Sequence, residues 1–290
     1  MFILPQVNAC PDCGSHSRTS QGSANRPGRF RCKDCGREYV DRSVIERKPQ
    51  LLSIDIETLP MKYYAWGAWG QDLGQHQLIE DWALLSFSAK WVGDDRIVSS
   101  VLTPEEAIKR DDRRLSLMIW GLLDQAHTAI THNGIRFDIK RINTRFWKHK
   151  LHRPASYRVI DTLVTAKQVF GLTYNSMAYI AEFKDRDNKL STNFGLWERA
   201  DHGDPEALRE MLEYNDQDVR TQEQIYMEMR DWIPNHPNLA IIAGDPNACP
   251  VCLHKGNHKK IGYHYTNKNK FNEYRCTSCG SIWHSSKKAK

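Results

Sequence analysis

The eight cysteines constrain the fold most strongly, because all of them belong to CxxC pairs near the two ends of the 290-residue chain. Eighteen residues separate the first pair from the second, and 23 separate the third from the fourth. One CxxC turn presents two thiolates to a metal ion, and two turns complete a tetrahedral set. Disulfide bonds are the alternative, but they require a secreted protein, and the amino-terminal segment lacks the basic and long apolar regions of a signal peptide. The pairs are Cys10/Cys13, Cys32/Cys35, Cys249/Cys252 and Cys276/Cys279.

Both cysteine-rich ends resemble zinc ribbons. Gly14, Gly36 and Gly280 directly follow a cysteine pair, where the turn needs a permissive backbone. The resemblance implies one structural Zn²⁺ at each end, because four thiolates leave no open position for catalysis. The predicted domains are a ribbon at 1–46, a central domain at 50–235 and a second ribbon at 245–290.

Charge is distributed unevenly along the chain. The net charge is +4 over residues 1–50 (nine basic, five acidic), −5 over 51–244 (23 basic, 28 acidic) and +7 over 245–290 (nine basic, two acidic). Basic ends favour a polyanionic partner, although solvated tails are the alternative. No run of 18 apolar residues occurs, so we expect no membrane span. We expect a cytoplasmic protein, at the nucleoid or in the host cytoplasm if a phage encodes it.

Strand and helix patterns alternate through the central domain, which predicts an α/β fold. The apolar run 51–57 is typical of a buried strand, and two further runs form a hairpin around a Gly-Asp-Asp turn. Asp204 and Pro205 mark the start of the last long helix. Strands are predicted at 51–57, 82–92, 96–102, 127–133 and 157–161, and helices at 113–126, 135–150, 175–183 and 205–232.

Carboxylates recur in three segments of this domain. Asp55 and Glu57 are two apart in a strand, so they project from the same face, where they repel unless a cation lies between them. A solvated pair at the end of a strand is the alternative. Asp138 is expected one turn into the helix 135–150, and Tyr214 and Asp218 share one face of the last helix.

In this order, DxE (55–57), NxxxFD (133–138) and YxxxD (214–218) resemble the DEDD superfamily of 3′–5′ exonucleases, in its Tyr subclass. The amino-acid sequences of these motifs are most similar to those of the proofreading exonuclease domains of family-B DNA polymerases. The resemblance covers 50–235 and implies a ribonuclease H-like mixed sheet with flanking helices. It also implies hydrolysis of single-stranded DNA, or of frayed 3′ ends, by two metal ions.

The resemblance assigns metal and water-positioning roles to five residues. Asp55, Glu57 and Asp218 would hold one Mg²⁺ or Mn²⁺, and Asp55 with Asp138 would anchor a second. Oxygen ligands suit both of these ions. Tyr214 would orient the attacking water, since its ordinary pKa near 10 makes it a hydrogen-bond partner more readily than a base.

Other residues are assigned to the substrate. Thr58 and Leu59 would meet the terminal nucleotide through the backbone and a small apolar contact. Asn133 would place the Asp138 helix or touch the substrate. Lys189 would reach a phosphate, with an ordinary surface lysine as the alternative. Phe137 is expected to pack in the core.

The sequence leaves two interpretations open for each of two further segments. The aromatic loop 63–70 could stack on unpaired bases, but packing against the domain is favoured. A basic run on the Asp138 helix could follow a nucleic-acid backbone or form a solvated face. That run comprises Lys140, Arg141, Arg145, Lys148 and Lys150.

Two other functions remain open from the sequence. One is a ribonuclease of the same superfamily, because no residue reports whether a 2′-hydroxyl is accepted. The other is a non-catalytic protein that binds nucleic acid through its ribbons, although all four acids and Tyr214 are present. The ribbons could also bind a replication or repair protein.

Overall fold

The computed structural model describes residues 10, 13, 15–21, 29–40, 49–70, 72–186 and 192–289. Within these residues the chain forms four sheets and eight α-helices, with a short 3-10 helix at Gln75–Gln77. The strands are β1 Arg18–Ser20, β2 Arg29–Cys32, β3 Glu38–Val40, β4 Leu51–Thr58, β5 Lys62–Tyr63, β6 Leu78–Glu80, β7 Leu84–Trp91, β8 Ile97–Val101, β9 Thr128–Thr131, β10 Arg158–Asp161, β11 Lys259–Tyr265, β12 Lys270–Arg275 and β13 Ile282–Lys288. The helices are α1 Pro104–Lys109, α2 Arg113–Leu123, α3 Asp138–Lys148, α4 Thr162–Val169, α5 Met177–Phe183, α6 Phe194–Asp201, α7 Pro205–Met229 and α8 Leu239–Ile242.

A mixed five-stranded sheet forms the centre of the fold, in the order β10-β9-β4-β7-β8. β4 pairs in parallel with β9 and antiparallel with β7, and β7 pairs antiparallel with β8. The predicted mixed sheet with flanking helices is therefore confirmed. β4 has a strand on each side, so its position is fixed by hydrogen bonds along both edges.

The two faces of β4 and β7 differ in polarity. On one face, Ile54 and Phe87 are fully buried in the main core with Leu115 and Ile119 of α2. On the other face, small or polar side chains meet α7, as in the pair Ser88–Asp216, whose oxygens are 2.5 Å apart. Because strand side chains alternate, the apolar face secures the sheet while the polar face is directed to α7.

Asp112 anchors a buried charged cluster behind the sheet. Its Oδ1 accepts from Arg145 Nη2 at 2.7 Å and lies 2.6 Å from His149 Nε2, and its Oδ2 accepts from the Leu84 amide at 2.8 Å. Arg145 is only 2% exposed. Both interpretations of the basic run, a solvated face or contact with a nucleic-acid backbone, are therefore wrong for Arg145, which instead ties α3 to the start of α2.

Helix α3 begins later than predicted. It starts at Asp138, so this residue occupies the first helical position and does not lie one turn inside. Asn133 is in the left-handed region with φ 70°, and residues 134–137 form turns. Gly134 permits this path, because a Cβ there would lie 2.3 Å from Thr131 Cβ.

The carboxyl-terminal ribbon packs against the central domain. Leu253 contacts a cluster that contains Leu51, Ile160, Tyr226 and Leu239. The Leu239 amide also donates to the carbonyl of the ribbon residue Pro250 at 2.7 Å. These apolar and backbone contacts join the second cysteine cluster to the sheet.

The ribbon strands are antiparallel at both ends, in the orders β1-β2-β3 and β11-β12-β13. The predicted boundary at residue 46 lies outside the described residues. Among the helices that the structure describes, we find none with the length and apolar character needed to cross a lipid bilayer.

Candidate active site

Asp55 and Glu57 project from β4 toward α7, and both are half-buried. Asn215 of α7 donates from Nδ2 to Asp55 Oδ2 at 2.7 Å, and its own Oδ1 accepts from Ser86 Oγ at 3.0 Å. Ser86 lies directly opposite Glu57 in the β4–β7 register. This chain of hydrogen bonds across the sheet fixes the orientation of the Asp55 carboxylate.

Asp218 completes a group of three acids from two elements. It is 2% exposed, and one of its carboxylate oxygens lies within 4.8 Å of one oxygen of Asp55 and one of Glu57. One turn further along α7, Gln222 Nε2 donates to Ser53 Oγ at 2.8 Å and to the Ile130 carbonyl at 2.9 Å, which fixes α7 on the sheet. Three carboxylates so close together repel unless a cation or protons intervene, and an all-oxygen set suits a hard divalent cation.

Asp138 is the fourth predicted acid, and it lies beside this group of three. It is 3% exposed, and its Oδ1 accepts from the Ile56 amide at 3.2 Å. Burial raises the pKa of Asp138 to about 7, against the lowering effect of backbone hydrogen bonds, and the charge of Asp161 adds to the increase. Near neutral pH, Asp138 therefore gains or loses its charge readily, and a nearby cation would favour the charged form.

The raised pKa of Asp138 predicts an unusual pH dependence of stability. Between the unfolded pKa near 4 and the folded pKa of about 7, the folded state binds more protons than the unfolded state. The free energy of unfolding should therefore fall as pH rises through this window, by about 4 kcal/mol in all from this group and by about 3 kcal/mol between pH 5 and pH 8. Urea unfolding at pH 5 and pH 8 in magnesium-free buffer measures it. The Asp138→Asn protein should lack this part of the pH dependence. Comparing the variant with the wild type cancels any contribution from the ribbons. Identical pH dependence in the two proteins would contradict the prediction.

The four acids line one open pocket of about 600 Å³. This volume lies in the range of small-molecule sites, roughly 300–1,000 Å³. The wall opposite the acids comes from the segment 173–177 and from α4. The lining residues are Asp55, Ile56, Glu57, His132, Asn133, Phe137, Asp138, Leu163, Lys167, Thr173, Tyr174, Asn175, Ser176, Met177 and Asp218.

Comparison with known proteins identifies the domain that carries this pocket. A family model described as RNase_H superfamily matches residues 87–230. The chain contains an RNase H-like domain. The matched segment of this RNase H-like domain includes Asp138 and Asp218, while β4 with its two acids precedes it.

One solved structure similar to the chain is the family B DNA polymerase from the hyperthermophilic archaeon Pyrobaculum calidifontis. The identity is 13%, the TM-score is 0.49, and the alignment covers 68% of this chain and 27% of the polymerase. The chain thus spans about a quarter of the length of that polymerase. No curated protein matches the chain.

The predicted substrate residues of the RNase H-like domain have different environments. Thr58 is half-buried at the end of β4, and Asn133 lines the pocket, where its amide donates to Asp161 Oδ1 at 2.9 Å. Leu59 is fully buried in the core, and its amide donates to the Ala83 carbonyl at 2.9 Å. The predicted apolar contact of the Leu59 side chain with a terminal nucleotide is therefore wrong, because the side chain packs inside the domain, while the predicted backbone contact stays a prediction. Lys189 lies outside the described residues.

Tyr214 shares a helix face with Asp218 but is largely buried, with 5% of its surface exposed. Its ring packs edge-on against Trp197, with centroids 6.1 Å apart. It is absent from the lining of the pocket. Its predicted contact with the attacking water stays a prediction.

Two predictions about aromatic residues are wrong. The sequence predicts Phe137 in the core, but it is 36% exposed and lines the pocket. The sequence favours packing of the loop 63–70, but Tyr64, Trp66 and Trp69 are 72%, 97% and 91% exposed. The short antiparallel β5–β6 ladder pairs the start of this loop with residues 78–80.

Two residues of the site had no motif to indicate them: His132 lines the pocket, and Asp161 holds the turn that contains Asn133. Asp161 caps α4, and it also accepts from the amides of Asn133 and Ile135 at 2.9 and 3.1 Å. His132 donates from Nε2 to the Asn175 carbonyl at 3.0 Å, which joins the end of β9 to the opposite wall. The only sequence signal for Asp161 was an acid between a strand and a helix, which is typical of an N-cap.

The cysteine clusters have the geometry of tetrahedral thiolate sites. The Sγ atoms of Cys10 and Cys35 are 3.6 Å apart, and those of Cys249 and Cys279 are 3.7 Å apart. All four Sγ atoms of each set lie within 4.8 Å of one another, and all eight cysteines are free thiols. A tetrahedron with Zn–S bonds of about 2.3 Å has edges of about 3.8 Å, whereas a disulfide needs about 2.05 Å. The two clusters therefore fit zinc ribbons and not a disulfide scaffold.

Proposed function

We propose that the chain is a 3′–5′ exonuclease that hydrolyses single-stranded DNA or frayed 3′ ends. The observation that carries the proposal is the meeting of Asp55, Glu57 and Asp218 within 4.8 Å, in a pocket that Asp138 also lines, at the central strand of an RNase H-like sheet. The direction of degradation follows the resemblance of the three motifs to DEDD exonucleases. The pocket volume of about 600 Å³ supports a single nucleotide as its occupant.

The donor set fits divalent metal ions. Asp55, Glu57 and Asp218 would hold one Mg²⁺ or Mn²⁺, and Asp55 with Asp138 would hold a second. Bound metal would supply an acidified water and stabilise the charge on the leaving 3′-oxygen. Asn215 keeps the Asp55 carboxylate aimed at this position. Tyr214 would orient the attacking water after a small movement toward the pocket.

The ribbons at 1–46 and 245–290 would hold one structural Zn²⁺ each and supply positive charge. The four acids leave the pocket itself unfavourable for a polyanion until metal binds. Basic modules on either side of the domain 50–235 would offset that repulsion and raise non-specific affinity.

The activity assay uses a 5′-labelled single-stranded oligonucleotide with Mg²⁺ or Mn²⁺. We expect a ladder of products that shortens from the 3′ end, while a circular single strand of similar composition stays intact. Cleavage of the circle would indicate an endonuclease, and no cleavage of either substrate would refute the proposal. A matched RNA oligonucleotide in the same assay distinguishes a deoxyribonuclease from a ribonuclease.

Trp66 should contribute to binding of the single strand. It is 97% exposed and borders a cleft of about 380 Å³ with Tyr64 and His76, and stacking on a base contributes about 1–3 kcal/mol. Trp66→Ala should therefore weaken binding of a single-stranded oligonucleotide by about tenfold, as measured by fluorescence anisotropy without divalent ions. Trp147→Ala is the control, because Trp147 is also 85% exposed but lies on α3. Equal losses in both variants would argue against a specific role for the loop.

A further inference from the structure

Arg141 of α3 has an unusual aromatic environment. Its guanidinium carbon lies 4.2 Å from the centroid of the Trp82 ring and 5.2 Å from that of Phe137. The Nη1 atom is buried and has no hydrogen-bond partner among the described residues. Cation–π contact with two rings fixes the plane of the guanidinium without neutralising its charge.

The neighbouring Arg145 has a different environment. It also lies over Trp82, at 5.1 Å, but its charge is compensated by Asp112 and it is almost fully buried. Arg141 forms no ion pair with any described residue. Burial lowers the pKa of its guanidinium, and the charge of Asp81 opposes this shift. Arg145 of the basic run is therefore structural, while Arg141 has no ion-pair partner among the described residues.

Arg141 also lies close to the acidic pocket. Phe137, which contacts it, lines the pocket and directly precedes Asp138. Arg141 follows Asp138 by three residues, so both lie on neighbouring parts of one helix face, about 4.5 Å apart along the axis. Arg141 itself does not line the pocket, but its guanidinium lies against Phe137, which does. A strand that enters the pocket past Phe137 would thus come near a fixed positive charge.

We propose that Arg141 binds a phosphodiester group of the substrate strand next to the acidic pocket. The proposal rests on the proposed function only in that a single strand enters this pocket. A planar guanidinium is well suited to two phosphate oxygens, and phosphates are the anions that a nucleic-acid strand presents at regular spacing. Trp82 and Phe137 would hold the side chain in its binding orientation, which reduces the entropy lost on binding.

Salt dependence of binding tests this inference. Each phosphate contact on a single strand contributes about 0.7 to the slope of log K against log salt. Arg141→Met should therefore lower the slope for a labelled oligonucleotide by about 0.7, measured by anisotropy between 50 and 300 mM salt without divalent ions. Lys148→Met is the matched control, because it removes an exposed charge two turns further along α3 and should leave the slope unchanged.

A second substitution separates charge from packing. Arg141→Lys keeps the charge but loses the planar stack, so it should retain the slope of the wild type and bind several-fold more weakly. An unchanged slope in Arg141→Met, an equal loss in Lys148→Met, or a loss of slope in Arg141→Lys would each overturn the proposal. Binding is measured without hydrolysis, so the two proposals can fail separately. A wild type that binds the strand but does not cleave it would refute the proposed exonuclease activity without affecting the proposal for Arg141.

Discussion

Replacing Asp55 with Asn should reduce the rate of nucleotide release by about 10³-fold or more. Asp55 is the acid that both proposed metal positions share, so its substitution removes one charge from each. Asparagine has nearly the same shape, and its amide oxygen still accepts the hydrogen bond that Asn215 donates at 2.7 Å. The expected loss therefore comes from charge and not from misfolding. Time courses with a 5′-labelled single strand measure it.

Asp216→Asn is the matched control for this experiment. Asp216 lies on α7 two residues before Asp218, is hydrogen-bonded to Ser88, and does not line the pocket. Its substitution removes one negative charge from the same helix and should change the rate by less than about twofold. Equal losses in the Asp55 and Asp216 variants would show that the acidic group has no special role.

Thermal unfolding in magnesium-free buffer gives a second readout for the Asp55→Asn protein. Without metal, the three carboxylates within 4.8 Å repel one another. Removing one charge should therefore leave the melting temperature equal to or higher than that of the wild type. A variant that is both inactive and markedly less stable would indicate that the loss of activity arises from the fold.

The sequence correctly predicts the features that depend on residues close to one another in the chain. The alternation of β4 correctly puts Asp55 and Glu57 on one face, because two residues complete the strand repeat. Asp204 caps α7 as predicted and accepts from the Glu206 amide at 2.9 Å. The cysteine spacing likewise indicated two groups of four thiolates.

Long-range contacts explain what the sequence did not reveal. Arg145 looks like one more exposed base in a run, but its partner Asp112 is 33 residues away. Asp161 organises the turn that contains Asn133, 28 residues earlier in the chain. Leu59 follows a strand, and only the path of the chain past Ala83 determines that it is buried. The loop 63–70 exposes Tyr64, Trp66 and Trp69, although its aromatic composition alone favours packing.

Loss of the second cysteine cluster should have the largest effect on the fold. Four thiolates that bind Zn²⁺ provide about 10–16 kcal/mol of folding free energy in zinc-finger peptides. Cys276 is 3% exposed, and its Sγ lies 3.7 Å from that of Cys252. Cys276→Ser should therefore reduce the zinc content from about two ions to about one per chain, as measured by elemental analysis of the purified protein.

The consequence of this substitution should extend beyond the ribbon. Leu253 of the ribbon packs against the apolar cluster that contains Leu51 and Tyr226, and the Pro250 carbonyl accepts from the Leu239 amide. When the ribbon unfolds, this apolar surface becomes exposed, so the central domain should melt at a lower temperature. Ser278→Ala is the control, because its backbone amide, which faces Cys276 Sγ at 3.4 Å, is retained. Two zinc ions per chain in Cys276→Ser would show that the cluster is not a zinc site, whereas one ion with an unchanged melting temperature would show that the ribbon folds independently of the sheet.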